Sequence, residues 1–269
     1  MNRTDLSPMG FRKTPFTREL AVRERHPLPH HDEAVRGLLQ AVHGRMSAAL
    51  IAPAGTGKTV VLRVLQAELP DARYIVRYVK VTGLSKRDLC REISAACGVC
   101  EAGIYPTLVR RLQDAFVQTT STDGMRTVII LDEAHDLRPE SLAMLRLLTN
   151  FEMDSRLVLS VVLAGQPQLK AALARPEQEA IAQRLAHCAT LRLLSSQETR
   201  HYIAHRCAIA GAANDPFDDD AHCAIFEMTR GNMRAIDRLA LKTIEMATSS
   251  GARAASAADV LRAREMLPW

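Results

Sequence analysis

No stretch of the 269-residue sequence approaches about 18 apolar residues without a charge, so no segment is suited to a transmembrane helix. Residues 1–25 are basic but have no apolar core, which excludes a secretory signal and makes the cytoplasm the expected location. There is no internal repeat and no low-complexity tract, so a solenoid or linker-type architecture is not expected. The six cysteines, at 90, 97, 100, 188, 207 and 223, include only one close pair, Cys97-Gly98-Val99-Cys100. A zinc or redox framework asks for a second pair at a suitable distance, and none follows, so the plainer reading is small thiols at a helix end. His201, His205 and Cys207 lie near each other on one helical stretch, and His201 and His205 share a face. The Glu of an H-E-x-x-H metal site is missing, which leaves solvent-facing or core histidines.

What is present is ordinary in bulk and uneven in charge. Hydrophobic residues make up 47% and charged residues 24%, the balance of a globular chain long enough for one large domain or two modest ones. The net charge is +5. Residues 1–127 carry 19 Lys and Arg against 12 Asp and Glu, whereas residues 128–269 carry 16 against 18. The positive excess therefore sits in the N-terminal arm and the first half of the core. That distribution suits a polyanion surface, although a modest excess also serves solubility.

The segment Ala52-Pro53-Ala54-Gly55-Thr56-Gly57-Lys58-Thr59 carries the most information. It follows an apolar run, Ser47 to Ile51, and precedes a helical pattern, Val60 to Leu69. A glycine loop between strand and helix points backbone N–H groups inward ahead of a helix N-terminus, which suits a polyphosphate. Pro53, Ala54, Gly55, Thr56, Gly57, Lys58, Thr59 and Val60 are the expected nucleotide contacts, with Lys58 reaching the outer phosphates and the Thr59 hydroxyl on Mg²⁺. Ala52 stands where the full G-x-x-x-x-G-K-[ST] pattern has glycine. A second apolar run, Thr127 to Leu131, ends in Asp132-Glu133-Ala134-His135. Functional residues gather at the C-terminal ends of buried parallel strands, so Asp132 is expected in the Mg²⁺ shell and Glu133 as the residue that polarises the attacking water.

Strands and helices alternate through the first two thirds of the chain. Strands are expected at 47–51, 73–82, 128–131, 157–163 and 189–194. Helices are expected at 32–45, 60–69, from Ser85, and at 108–117, 139–148 and 177–187, with Asp88 completing a capping-box-like signature for Ser85. This is an α/β sandwich around a parallel sheet. After Ser195 only helical patterns remain, at 196–210, 218–228, 233–247 and 257–266. The expected organisation is an N-terminal arm over 1–26, an α/β nucleotide-binding domain over 27–194, and a helical lid over 195–269.

The phosphate loop, the additional strand, Asp132-Glu133, a polar strand end and a helical lid together resemble the AAA+ ATPases over nearly the whole chain. The resemblance implies a five-stranded parallel sheet in the order 5-1-4-3-2 and oligomers that hold ATP between subunits. It also implies three further roles. Gln166, after the strand next to that of Asp132, takes the place of a polar γ-phosphate sensor, where Asn or Thr is more usual. Arg184, in Gln183-Arg184-Leu185, takes the place of an arginine finger for a neighbour's ATP, with Arg175 and Arg192 as competitors. Arg234, in Gly231-Asn232-Met233-Arg234, takes the place of the lid arginine that couples to the γ-phosphate.

Within that family the short lid, the arm with Gly10-Phe11 and Pro15-Phe16, and the string Leu131-Asp132-Glu133-Ala134-His135 look like the TniB, TnsC, IstB, MuB and ExeA branch. ExeA-type ATPases continue into a membrane segment and a wall-binding domain. This chain stops at Trp269 soon after its lid, which points to the transposon-borne members. The expectation is a slow ATPase, stimulated by DNA or a partner, that forms a ring or helical filament on double-stranded DNA and recruits a transposase. Ser85, Lys86 and Arg87 are candidate DNA phosphate contacts, with Arg110 and Arg111 weaker ones. Two alternatives stay open: an ExeA-like secretion or envelope-assembly ATPase, and a helicase-loader-like adaptor.

Overall fold

The computed structural model describes residues 9–152 and 155–268. Five segments form one parallel sheet: β1 (Ser47–Ile51), β2 (Tyr74–Lys80), β3 (Arg126–Asp132), β4 (Leu159–Gly165) and β5 (Leu185–Thr190). The strand order is β2-β3-β4-β1-β5, which is the expected 5-1-4-3-2 read from the other edge. Every residue of β1 and β4 is buried, as is all of β3 after Arg126. Continuous apolar strands of this kind need helices over both faces. These are α1 (Pro29–His43), α2 (Lys58–Glu68), α3 (Lys86–Cys97), α4 (Tyr105–Thr122), α5 (Pro139–Thr149), α6 (Pro167–Leu173) and α7 (Glu179–Ala182). The core includes Ile93, Leu108, Leu112 and Phe116 from the helices, packed with Ile129, Leu131 and Leu163 from the strands. Ser85 caps α3 as its sequence signature implies, its hydroxyl accepting from Asp88 N at 3.3 Å.

Two expectations from the sequence require correction here. The helical pattern from Glu177 to His187 yields only the short α7, and β5 begins at Leu185 rather than near Ala189. β5 is an edge strand in which exposed residues alternate with partly buried ones and the buried Ala189, so it lacks the apolar run that marks β1, β3 and β4. The helix α6, opening on Pro167, follows β4 directly where no helix is expected from the pattern.

The chain divides into two compact units. One comprises residues 29–53 and 58–191 and contains the sheet. The other comprises residues 1–28, 54–57 and 192–269. The second unit is built on α8 (Ser196–Ile209), α9 (Asp219–Thr229), α10 (Met233–Ser249) and α11 (Ala257–Glu265). Side-chain oxygens of Ser195, Asp218, Asn232 and Ser256 cap these four helices in turn. Met9, Phe11, Phe16 and Leu28 from the N-terminal segment are buried in the same core as Tyr202, Ile203, Ile236 and Leu239. The described part of the arm is thus a packed layer of the helical unit. Among the described residues no helix is long and apolar enough to cross a membrane.

Candidate functional site

β1, β4 and β3 run parallel side by side, so the start of α2 after β1 and the end of β3 lie at the same edge of the sheet. Lys58, the first residue of α2, places its Nζ 3.1 Å from Asp132 Oδ1 and 2.9 Å from Glu133 Oε1. The Lys58 and Asp132 side chains are only 10% and 5% exposed. Charges at such depth interact more strongly than surface pairs because less water screens them. One ammonium faces two carboxylates, and its three donors are also those a phosphate would take.

Asp132 is held from both sides. Glu133 N donates to Oδ1 at 2.8 Å, and the Tyr78 hydroxyl donates to Oδ2 at 2.9 Å. Tyr78 pairs with Ile130 in the β2–β3 register, so its ring stands on the sheet face that Asp132 shares two residues on. Burial, followed by the bond to Asp132, pushes the Tyr78 hydroxyl up to about 12, so it remains a donor at neutral pH.

Glu133 adopts φ 56 and ψ 34, the left-handed region that residues with a Cβ disfavour. Strain of this kind gathers at functional sites. It turns the chain sharply from β3 into a 3-10 turn, Ala134–Asp136. Glu133 Oε2 lies 3.5 Å from His135 Nδ1, and His135 Nε2 lies 2.8 Å from Gln166 Nε2. Gln166 is the residue between β4 and α6. Gly165 makes this proximity feasible. A Cβ there would stand 3.0 Å from His135 N and 2.9 Å from Leu169 Cδ2.

Residues 54–57 of the loop cluster with the helical unit. Asn232 Nδ2 donates to Ala54 O at 2.8 Å, and Arg234 N donates to Gly55 O at 3.3 Å. Gly55 has φ 80, and a Cβ on it would lie 2.2 Å from Asn232 Oδ1. The same Oδ1 caps α10 by accepting from Ala235 N at 3.1 Å. The corner Gly231-Asn232 therefore fixes both the helix start and the loop backbone. Thr56 is buried and Gly57 has φ 88, while Pro53 is partly buried after β1. Thr59 and Val60 are the second and third residues of α2, the former exposed.

The donor chemistry fits magnesium. Thr59 hydroxyl and Asp132 carboxylate are hard oxygen ligands, the kind Mg²⁺ takes from protein when phosphates complete its shell. Among the described residues no group of three or more His, Cys, Asp or Glu is arranged to hold a metal alone. Cys97 closes α3 with its thiol raised by burial, and Cys100 is exposed.

The arginines differ in their commitments. Arg192 is held by Glu198 through two bonds of 2.6 and 2.7 Å, which draw the Glu198 carboxyl down to about 2. Arg175 is exposed at the start of the 3-10 turn Pro176–Gln178. Arg184 is partly buried in the two-residue turn between α7 and β5. Arg234 is exposed in the first turn of α10, where a cation opposes the helix dipole; helix stability gives no reason for it. At the start of α3, each DNA candidate already has a local role. Ser85 Oγ donates to Asp88 Oδ2 at 2.6 Å, Lys86 Nζ sits 5.1 Å from the Tyr105 ring centre, and Arg87 donates to Gly103 O at 3.2 Å. Arg111 likewise binds Ala102 O, and Arg110 is exposed.

Three residues at the site carry no sequence signal of their role: Tyr78, His135 and Asn232. Tyr78 shows only strand alternation. His135 and Asn232 stand inside recognisable motifs, but contacts between distant segments give them their partners.

Residues 41–173 match the family model described as an AAA domain. A curated relative, General secretion pathway protein A of Aeromonas hydrophila, is 32% identical over 253 residues, covering 91% of this chain and 44% of the relative. The chain thus spans less than half the length of that relative. Among solved structures, the ORC1 protein of Aeropyrum pernix in complex with DNA is similar at TM-score 0.69 and 20% identity, over 95% of this chain and 69% of that one. Cdc6p from Pyrobaculum aerophilum gives 0.72 and 18%, over 93% and 70%. The RuvB Holliday junction branch migration motor of Thermotoga maritima gives 0.62 and 18%, over 94% and 73%. At such identities these structures speak to the fold.

Proposed function

We propose, from the AAA domain that residues 41–173 match, that the chain is an ATP-hydrolysing switch that assembles with its own copies on double-stranded DNA. The observation that carries this reading is the seating of Lys58 against Asp132 and Glu133 at one end of the sheet. ATP binds with its phosphates along residues 53–60, and Lys58 exchanges carboxylate contacts for phosphate oxygens. Thr59 and Asp132 would hold Mg²⁺, which would supply charge for the transferred phosphoryl group, where electrostatic stabilisation does most of the work. Glu133 orients and polarises the attacking water. Gln166 senses the γ-phosphate. Arg234 couples the helical unit to it, and Arg184 reaches the ATP of a neighbouring subunit, so that nucleotide cements a ring or helical filament.

In the reading we favour, the cytoplasmic assembly holds DNA phosphates through Ser85, Lys86 and Arg87 with little sequence preference, marks a target and recruits a transposase. The basic first half of the chain, with structural neighbours that include a DNA complex and a branch migration motor, supports DNA as the partner. A second reading, a secretion or envelope-assembly ATPase, is favoured by the 32% identity to General secretion pathway protein A. A helicase-loader-like adaptor shares the recruiting step. Steady-state hydrolysis with and without duplex DNA separates them. Stimulation by DNA that Lys58→Ala abolishes supports the first reading, and turnover indifferent to DNA favours the second. Electron microscopy with duplex DNA and a slowly hydrolysed ATP analogue should show DNA-centred rings or filaments.

A further inference from the structure

We propose that Asn232 is a positioning residue for the phosphate loop: its amide holds the carbonyl of Ala54, so that the helical unit sets nucleotide affinity through the loop backbone, independently of the Arg234 side chain. The inference rests on the nucleotide-binding reading and deepens it by naming a second coupling route, one that needs no γ-phosphate. A loop that turns its N–H groups toward a phosphate turns carbonyls the other way, and those carbonyls need donors. For Ala54 and Gly55 both donors come from the start of α10. Asn232 Nδ2 donates to Ala54 O at 2.8 Å, and Arg234 N donates to Gly55 O at 3.3 Å.

The orientation of the Asn232 amide is fixed by its second contact. Its Oδ1 accepts from Ala235 N at 3.1 Å, which an amide nitrogen cannot do, so Nδ2 is the atom left for Ala54 O. One side chain therefore caps α10 and anchors the loop. The first N–H groups of a helix have no partner inside it. Here the N–H of Arg234 is taken by the loop and that of Ala235 by the cap. The fit is close on both sides of Asn232. A Cβ on Gly55 would lie 2.2 Å from Oδ1, so the approach of the amide depends on its absence. A Cβ on Gly231, at φ 76, would lie 2.0 Å from Leu194 O, and Leu194 N donates to Gly231 O at 3.0 Å. The segment entering α8 thus pins the corner that carries the amide. Residues 54–57 cluster with the helical unit, yet the chain joins them to β1 through Pro53 and to α2 at Lys58. A shift at the start of α10 passes to the loop through these two bonds, with no side chain of α10 touching the nucleotide.

The test measures equilibrium ADP and ATP affinity and the chemical-denaturation midpoint on the full chain for Asn232→Ser and Asn232→Asp. Both replacements cap helices about as well as asparagine, so the midpoint should not move. Serine is too short to reach Ala54 O and should weaken ADP and ATP alike, each about tenfold, the effect of one lost hydrogen bond. Aspartate keeps the shape but sets a carboxylate oxygen against the Ala54 carbonyl, so its loss should be at least as large. Arg234→Ala keeps the backbone N–H and should weaken ATP while sparing ADP; an equal loss of ADP would merge the two routes and contradict their independence. Serine-variant affinities within about twofold of the parent overturn the proposal. So does a loss confined to ATP, which assigns Asn232 to the γ-phosphate, and so does a loss accompanied by a lower midpoint, which makes Asn232 a helix cap alone. If Asn232→Ser does not fold, Asn232→Thr, which also caps without an amide, is read by the same criteria. Nucleotide binding by the parent that Lys58→Ala abolishes supports the underlying reading independently of Asn232, and a parent that binds neither nucleotide overturns both.

Discussion

Among the described residues, two clusters with a largely buried cation facing carboxylates, one in each unit, are built differently. At the sheet edge Lys58 faces Asp132 and Glu133, and Glu133 is 31% exposed in a strained backbone conformation. In the helical unit Arg206 is 5% exposed and its terminal nitrogens donate to Thr17 O at 2.7 Å and to the Tyr202 hydroxyl at 3.1 Å. Tyr202 in turn donates to Asp237 Oδ1 at 2.8 Å, and the Phe16 and Tyr202 rings each lie 5.7 Å from the guanidinium carbon. The first cluster has more acceptor charge than its lysine can match and a face open to an incoming group. The second encloses its cation with rings, a hydroxyl, a carbonyl and a carboxylate, and ties the N-terminal segment to α8 and α10. Burial and pairing alone therefore do not mark a working site. What sets the sheet cluster apart is its excess of acceptors and the strained backbone at Glu133.

The contrast predicts that damage to the enclosed cluster appears as lost stability. Arg206→Ala should lower the stability of the helical unit by about 3 kcal/mol, because the partly buried Asp237 loses its cation and Thr17 O and the Tyr202 hydroxyl lose their donor. Chemical denaturation would register this, and an unchanged midpoint would mean that the cluster is dispensable. Damage at the sheet edge should appear as altered ligand demand. Tyr78→Phe removes the donor to Asp132 Oδ2 and should raise the Mg²⁺ concentration needed for tight ATP binding about tenfold, read by titrating Mg²⁺ at fixed nucleotide. An unchanged Mg²⁺ dependence would reduce Tyr78 to a surface residue.

The smallest effect is a pH slope. Burial, opposed by Arg206, pushes the Asp237 carboxyl up to about 6 from its ordinary 3.8. Between these values the unfolded chain releases this proton while the folded one keeps it. Asp237 therefore contributes stability that is full below the lower value and is lost as pH rises toward the upper one. Asp237→Asn should flatten that part of the stability–pH curve, and an unaltered slope would assign it to other groups.

The two clusters are also unequally legible in sequence. Lys58, Asp132 and Glu133 stand in motifs at the ends of continuous apolar strands, where period and position suffice. The same reasoning locates β1, β3 and β4 and the four C-terminal helices. It fails at β5, whose edge position demands no apolar run, and at α6, where a proline directly after a strand reads only as the strand's end. Phe11 and Phe16 have no periodic neighbours, so their burial with Tyr202 and Ile203 leaves no trace in the pattern. Tyr78, His135 and Asn232 act through partners distant in sequence, and only the strand register or a helix cap brings those partners near.

In the proposed function Glu133 performs chemistry while Lys58 holds phosphate. Glu133→Gln tests it most directly, with ATP affinity and single-turnover hydrolysis measured on the same preparation. The variant should keep ATP affinity close to that of the parent, lose about a hundredfold or more in hydrolysis, and form assemblies on DNA that persist instead of dissociating. Hydrolysis as fast as in the parent, with affinity unchanged, would contradict it.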